Sequence, residues 1–326
     1  MKKRSSLLFC LLLIFLSSLF CGGCSEKNEE MLPSSLSSAI TKTQSSLPEE
    51  TPSVSLRNTV YEPLLPIQSM ESTEENEVVL LDFSNSSKGY IMVDYHGTAD
   101  KIKLQIKIPD STTYSYPLKA GRIRSFPLPG GDGIYQITVL EHAYDDLYAV
   151  AFSKELSVTL EDEFLPFLYP NQFSWYDHTC KALSMGIQLS EKSSNDLEYL
   201  EQVYQWVISN ISYDNEKAES VTAEYVPDVD DTLTTKKGIC FDYASLMVAM
   251  LRSQNIPTKL EVGYSGQVYH AWISVYLTEL GWVDGIIEFD GKSWTLMDPT
   301  LASNNDKKAV GKYVGDGSNY TVKYHY

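Results

Sequence analysis

The sequence predicts a chain with two folded parts, the first all-β and the second α+β, and three observations carry that reading. From about residue 71 to 165, short runs alternate apolar and polar residues with turn signals between them. Beyond residue 166 the apolar period becomes that of a helix face. Extended runs return only after the helices, an order that points to α+β and not to a βαβ succession.

The 326 residues open on MKKRSSLLFCLLLIFLSSLFCGGC. Lys2, Lys3 and Arg4 precede an apolar run that reaches Phe20, the layout of a secretory signal, so residues 1–23 are expected to be a leader. The run is too short and one-sided for a permanent span. Its end, with Gly22, Gly23 and Cys24, resembles a bacterial lipobox, although Cys21 stands where Leu is usual. That resemblance implies an exported protein, lipid-anchored through Cys24 to the outer face of the bacterial cytoplasmic membrane. A plain signal cut nearby, with no lipid, is the alternative. Residues 24–70 are rich in Ser, Thr, Glu and Pro without a sustained apolar period, and a disordered tether is expected there.

Residues 71–165 supply the strands. In KIKLQIKI, Ile102, Leu104, Ile106 and Ile108 share one face while Lys101, Lys103, Gln105 and Lys107 share the other. EVVLLDF, GYIMVDY, GIYQITVLE, YAVAF and ELSVTL are further strands, separated by the turn signals SNSSKG, PDST and PGGDG. Several strands at this spacing suggest a sandwich, immunoglobulin-like in broad shape. His96 and His142 are isolated and read as ordinary surface or loop histidines.

Residues 166–326 change character. A short helix is expected around Trp175–Leu189. A stronger one follows Asn195, a cap with Glu198 in capping-box position, and Leu197, Leu200, Tyr204, Val207, Ile208 and Ile211 mark its apolar face. EYVPDVDD reads as a solvated acidic loop. In KKGICFDYASLMVAMLRSQNIP, Gly238 permits a tight turn, Cys240, Ala244, Met247 and Leu251 form a helical stripe, and Asn255 and Pro257 end the helix. TKLEVGY, YHAWISVYL and KSWTLMD then read as strands.

Charge and cysteine content exclude several functions. A net charge of −17, made more negative by loss of the basic leader, argues against nucleic-acid binding. Cleavage leaves Cys24, Cys180 and Cys240. A chain this long buries a core without a disulfide, so Cys180 and Cys240 read as free thiols, although an oxidising exterior would permit a bridge. Asp228 to Asp231 fit no calcium loop, and His178 near Cys180 has no further Cys or His close in sequence. Neither a metal nor a cofactor is expected.

Three residues suggest chemistry. Cys240 falls in the first turn of its helix, where free N–H groups and the helix dipole favour a thiolate. Buried cysteines are common, and the stretch alone favours an inert thiol. His270 opens a strand on which Trp272, Ser274 and Tyr276 share its face, and Asp298 closes a different strand, KSWTLMD, on a face with Trp294 and Leu296, before Pro299. A base and a carboxylate of this kind can activate a thiol and hold the imidazole.

The order GIC, HAW, DPT, preceded by WVISNISYD and with RSQNIP and EVGY between, resembles the transglutaminase-like superfamily of papain-type cysteine enzymes. The likeness covers about residues 174–326. It implies that Cys240, His270 and Asp298 are nucleophile, base and orienting acid, converging at a cleft between the Cys240 helix and a small antiparallel sheet. It further implies attack on amide bonds through an acyl-enzyme thioester, with hydrolysis by a protease or amidase slightly favoured. Amine transfer, as in a transglutaminase, and a surface binding module without catalysis are the alternatives. The expected partner is a peptide or protein outside the cell, wall peptide included. By analogy the Cys240 N–H helps to hold the oxyanion, with Tyr213 the second candidate donor ahead of Trp206. Asp242 is expected to serve structure in the first turn. One departure is the extra stretch LTELGWVDGIIEFDGK, read as an extended hairpin, in which Trp282 and Asp284 imitate the usual approach to the acid.

Overall fold

The computed structural model describes residues 61–265, 267–278, 280–283, 287–289, 294–296 and 320–326. The expected leader, the tether as far as residue 60, and Cys24 lie outside the described residues. The described residues all fall in one compact unit.

Eight strands come first: β1 (Thr73–Glu75), β2 (Val79–Asp82), β3 (Tyr90–Tyr95), β4 (Ile102–Lys107), β5 (Thr113–Leu118), β6 (Arg124–Pro127), β7 (Gly133–Tyr144) and β8 (Leu147–Val158). They form two four-stranded antiparallel sheets, ordered β1-β2-β3-β6 and β5-β4-β7-β8. The alternation in β4 is as expected, with Ile102, Leu104 and Ile106 buried. Tyr116 of β5 meets Phe126 of β6 edge to face at 5.0 Å, joining the two sheets through one core. YAVAF and ELSVTL are parts of one strand, β8, because its pairing with β7 runs on past a bulge between Val139 and Leu140. Strands β1, β5 and β6 escape the pattern: two are very short, and Pro117 interrupts the third. Pro117 is tolerated because β5 is an edge strand. His142 sits near the β7–β8 turn, where its Nε2 donates to the Asp145 carbonyl at 2.7 Å.

The second part runs through α1 (Lys181–Ser190), α2 (Asp196–Asn210), β9 (Ser212–Tyr213), α3 (Asn215–Ser220), α4 (Val229–Thr235), β10 (Lys237–Gly238) and α5 (Cys240–Arg252). The strands β11 (Thr258–Ser265), β12 (Val268–Leu277), β13 (Gly281–Val283), β14 (Ile287–Phe289), β15 (Trp294–Leu296) and β16 (Tyr320–His325) follow. Asn195 caps α2 by accepting the Glu198 N–H at 2.8 Å, while the Glu198 carboxylate reaches the Ser194 N–H at 2.7 Å. The first helix begins only at Lys181, because Asp177 accepts the N–H and hydroxyl of Thr179 and holds a turn ahead of it.

The acidic stretch is a loop as far as its cap Asp228, but Val229 to Asp231 open the helix α4, which corrects the loop expectation for that end. Asp228 caps α4 through the N–H groups of Asp230 and Asp231. Asp230 in turn accepts the Lys181 and Ala182 N–H groups, both at 3.1 Å, and so caps α1. Its charge therefore serves two helix starts, and among the described residues no group of three or more His, Cys, Asp or Glu is placed to hold a metal.

An antiparallel sheet ordered β13-β12-β11-β16 packs against α5. Both faces of β12 are covered, so His270 to Val275 are all buried and the expected division into two faces carries no inside and outside. Arg252 anchors the far end of α5. Its guanidinium, 1% exposed, donates to the main-chain carbonyls of Thr258 at 2.8 and 2.6 Å, Tyr169 at 2.8 Å and Tyr326 at 2.6 Å. Burial lowers its pKa to about 10, which leaves it charged at neutral pH. The partners come from the strand part's exit, from β11 and from the end of β16, so one side chain ties three segments together.

Gly263 lies opposite His270 in the β11–β12 register, at a bulge in the β11–β16 pairing. A Cβ built there would stand 2.0 Å from the Thr321 main-chain oxygen. Gly263→Ala is therefore expected to destabilise the chain by about 1–3 kcal/mol or more through overpacking. A urea-unfolding midpoint equal to that of the wild type would refute this close approach.

Candidate active site

The start of α5 is built by a two-residue parallel bridge. Ser212 and Tyr213 pair with Lys237 and Gly238, the Ser212 N–H donates to Lys236 and the Asp214 N–H to Gly238, each at 2.9 Å. Lys236 takes the left-handed conformation at φ 58°, so the turn expected of Gly238 is made two residues earlier. Gly238 is needed for space: an added Cβ would lie 2.7 Å from that of Asp242. Asp242 is 0% exposed and accepts the Ile239 N–H at 2.8 Å, the Tyr225 hydroxyl, and the Lys217 ammonium at 2.7 Å. Its role is structural, as expected, but its partners on α3 and the following loop could not be read from local sequence.

Cys240 is the first residue of α5 and half-buried, with a free thiol. The main-chain N–H groups of Ala271, Phe241 and Cys240 favour the thiolate, while burial and then the Asp242 charge oppose it. Burial wins, and the thiol is held above its ordinary pKa. Position in the first turn thus does less than expected, because removal from water outweighs a few N–H dipoles. Ionisation must come from a partner. Cys180 is the other free thiol of the described residues; burial pushes it up to about 11 beside Asp177, to which it hydrogen bonds.

The sulfur's contact with the Ala271 N–H brings β12 to the helix start. The preceding residue, His270, is 8% exposed, its ring stacked near Trp272 at 6.3 Å between centroids. Cys240, His270 and Tyr213 all line one cavity of roughly 680 Å³. Tyr213 reaches it through the β9–β10 bridge, and the Cys240 N–H points at its hydroxyl. Trp206 is not among the described lining residues and packs under the Lys236 ammonium at 4.4 Å. Asp298 lies outside the described residues, as does Asp284. Trp282 is on β13, packed edge to face on Phe167 at 5.5 Å and on Tyr276 at 5.6 Å, away from the Cys240 cavity. The expected hairpin is two units: β13 pairs with β12, and β14 pairs with β15.

Sequence reasoning missed much of the cavity wall. Tyr324 comes from β16 and Tyr326 from just beyond it, Phe173 from the connection between the parts, and Ser115 and Pro117 from β5. Tyr114 and Tyr116 fasten these elements together, with ring centroids 5.4 and 5.6 Å from that of Tyr326. The only available signal was the abundance of tyrosine, 22 in the chain, and the tyrosines of VKYHY at its end.

A thiol at a helix start and a histidine on an antiparallel strand thus line one cavity within an α+β arrangement. The family model of the transglutaminase-like superfamily matches residues 184–299, and the chain carries a transglutaminase-like domain over that stretch. UPF0252 protein MJ1282 of Methanocaldococcus jannaschii is 32% identical over 108 residues, 29% of this chain and 29% of that protein. Uncharacterized protein YebA of Bacillus subtilis is 28% identical over 123 residues, 32% of this chain and 17% of that protein. The matched stretch thus spans less than a third of the length of either relative. Among solved structures, a candidate cysteine protease from Cytophaga hutchinsonii shows 16% identity and a TM-score of 0.33, covering 70% of this chain and 68% of that one. Red sea bream transglutaminase shows 12% identity and a TM-score of 0.29, covering 67% of this chain and 48% of that one.

Proposed function

We propose that this chain is a thiol enzyme acting on amide bonds through an acyl-enzyme thioester, with hydrolysis as its main outcome. The observation that carries the reading is that Cys240 and His270, from different elements, open on one cavity. His270 takes the Cys240 proton, the thiolate attacks the amide carbonyl, and the imidazolium protonates the departing amine. Water, deprotonated by His270, then adds to the thioester, and the sulfur leaves as the carboxylic acid forms. Asp298 is proposed to orient His270. The Cys240 N–H, with Tyr213 as a second donor, is proposed to hold the oxyanion; burial raises the pKa of the Tyr213 hydroxyl, which keeps it a proton donor at neutral pH.

The leader, the lipid anchor at Cys24 and the peptide or protein substrate outside the cell belong to the same proposal, as does the immunoglobulin-like character of the strand part. Among the described residues no helix is long and apolar enough to cross a membrane, a statement that does not bear on β-barrels. The test is a product assay on glutamine peptides with and without a primary amine. Cleaved or deamidated peptide is expected, and incorporation of the amine as the dominant product would establish transfer instead. No product of either kind, with wild-type chain that alkylates no faster than a free thiol near neutral pH, would overturn the enzyme reading.

A further inference from the structure

The cavity walls differ from the rest of this acidic chain. Among its described lining residues none is Asp, Glu, Lys or Arg, and His270 is the one ionisable base. Besides Tyr213, six aromatic rings, Phe173, Tyr225, Phe241, Tyr269, Tyr324 and Tyr326, form much of the surface around the Cys240 helix start. Several touch one another: Phe173 meets Phe241 at 5.3 Å and Tyr326 at 4.8 Å, and Tyr225 meets Phe241 at 6.4 Å. Tyr269, 57% exposed, extends this surface to the mouth. Asp242 is not among the described lining residues and is paired with Lys217 at 2.7 Å, so its carboxylate reaches the space only as a field at Cys240.

Such a wall selects by two effects. An apolar or aromatic side chain placed on it gains in proportion to the area it removes from water, with ring contacts adding to that. A charged side chain there loses hydration and meets no Asp, Glu, Lys or Arg among the described lining residues. The cavity of roughly 680 Å³ has room for more than the scissile amide alone. Ser115 and Pro117 show that the strand part supplies one side of it.

Resting on the thiol-enzyme reading for its location, we infer that the cleft is a specificity pocket for a bulky uncharged residue, aromatic or large aliphatic, flanking the scissile amide. The substrate class is therefore an apolar segment of protein or peptide, as opposed to a peptide with a free carboxylate beside the bond. The strand part acts as a wall of the pocket and thereby shares in substrate choice.

Binding separates this inference from the chemistry. Full-length Cys240→Ala, which cannot form a thioester, is titrated by calorimetry with blocked hexapeptides identical except for Phe, Leu, Asp or Lys beside a central glutamine. The Phe and Leu peptides are expected to bind at least tenfold more tightly than the Asp and Lys peptides. In Ser115→Glu, a change at an exposed strand position, added to that background, the Lys peptide is expected to gain at least threefold on the Phe peptide. Equal binding of all four peptides, tighter binding of the Asp peptide, or no binding by any of them overturns the inference. Turnover of the same peptides by the wild type is read separately. The expected ranking in binding without any turnover would sink the enzyme reading and leave the pocket standing, and turnover without a ranking would do the reverse.

Discussion

His270→Ala is expected to lower amide turnover by about 10²- to 10⁴-fold, the usual contribution of a positioned general base. The pH profile is the sharper readout. Burial already holds the Cys240 thiol above its ordinary pKa. Without a base the thiolate therefore forms only above the free-thiol value of about 8.5. Alkylation of the variant should rise steeply only beyond that pH, whereas the wild type should react well below pH 8. A variant with the wild-type profile would show that His270 does not activate the sulfur. The same raised pKa has a consequence for stability. In His270→Ala, where no base takes it, the proton is held more tightly folded than unfolded, so the associated stability is present below about pH 8.5 and fades as pH rises toward the folded value.

Asp242→Ala is expected to be the most destabilising change near the site, by about 3–5 kcal/mol. It leaves the largely buried Lys217 ammonium, the Tyr225 hydroxyl and the Ile239 N–H without the carboxylate that joins them. Asp242→Asn keeps an acceptor and is expected to cost less. It also removes a negative charge that opposes Cys240 ionisation, so its alkylation limb should shift to lower pH. Urea unfolding and alkylation measured on both variants check the two effects. Equal stability of Asp242→Ala and wild type would refute the part given to this carboxylate in building the helix start.

The readable part of the fold was the part encoded by local period. Ile102, Leu104 and Ile106 alternate along β4, and Asn195 and Glu198 mark the start of α2, because side-chain direction and capping depend on near neighbours. Trp175 to Cys180 misled, since Trp175 and Tyr176 lie in an irregular stretch and Asp177 then holds a turn through Thr179 in place of a helix. The acidic stretch misled for the opposite reason: Asp228 and Asp230 look solvated in sequence, and only their position shows them to be caps for α4 and α1.

By itself the sequence determined the α+β order of the second part and the family likeness around Cys240, His270 and Asp298, because residue type and spacing carry both. It also determined that Cys240 begins a helix. Only the tertiary structure decided that Cys240 and His270 share a cavity, that burial overrides the helix start and raises the thiol, and that Asp242 spends its charge on Lys217. The tertiary structure also brought Ser115, Pro117, Tyr324 and Tyr326 to the same cleft. Solvation and long-range packing depend on what surrounds a residue in space, and no local pattern records that.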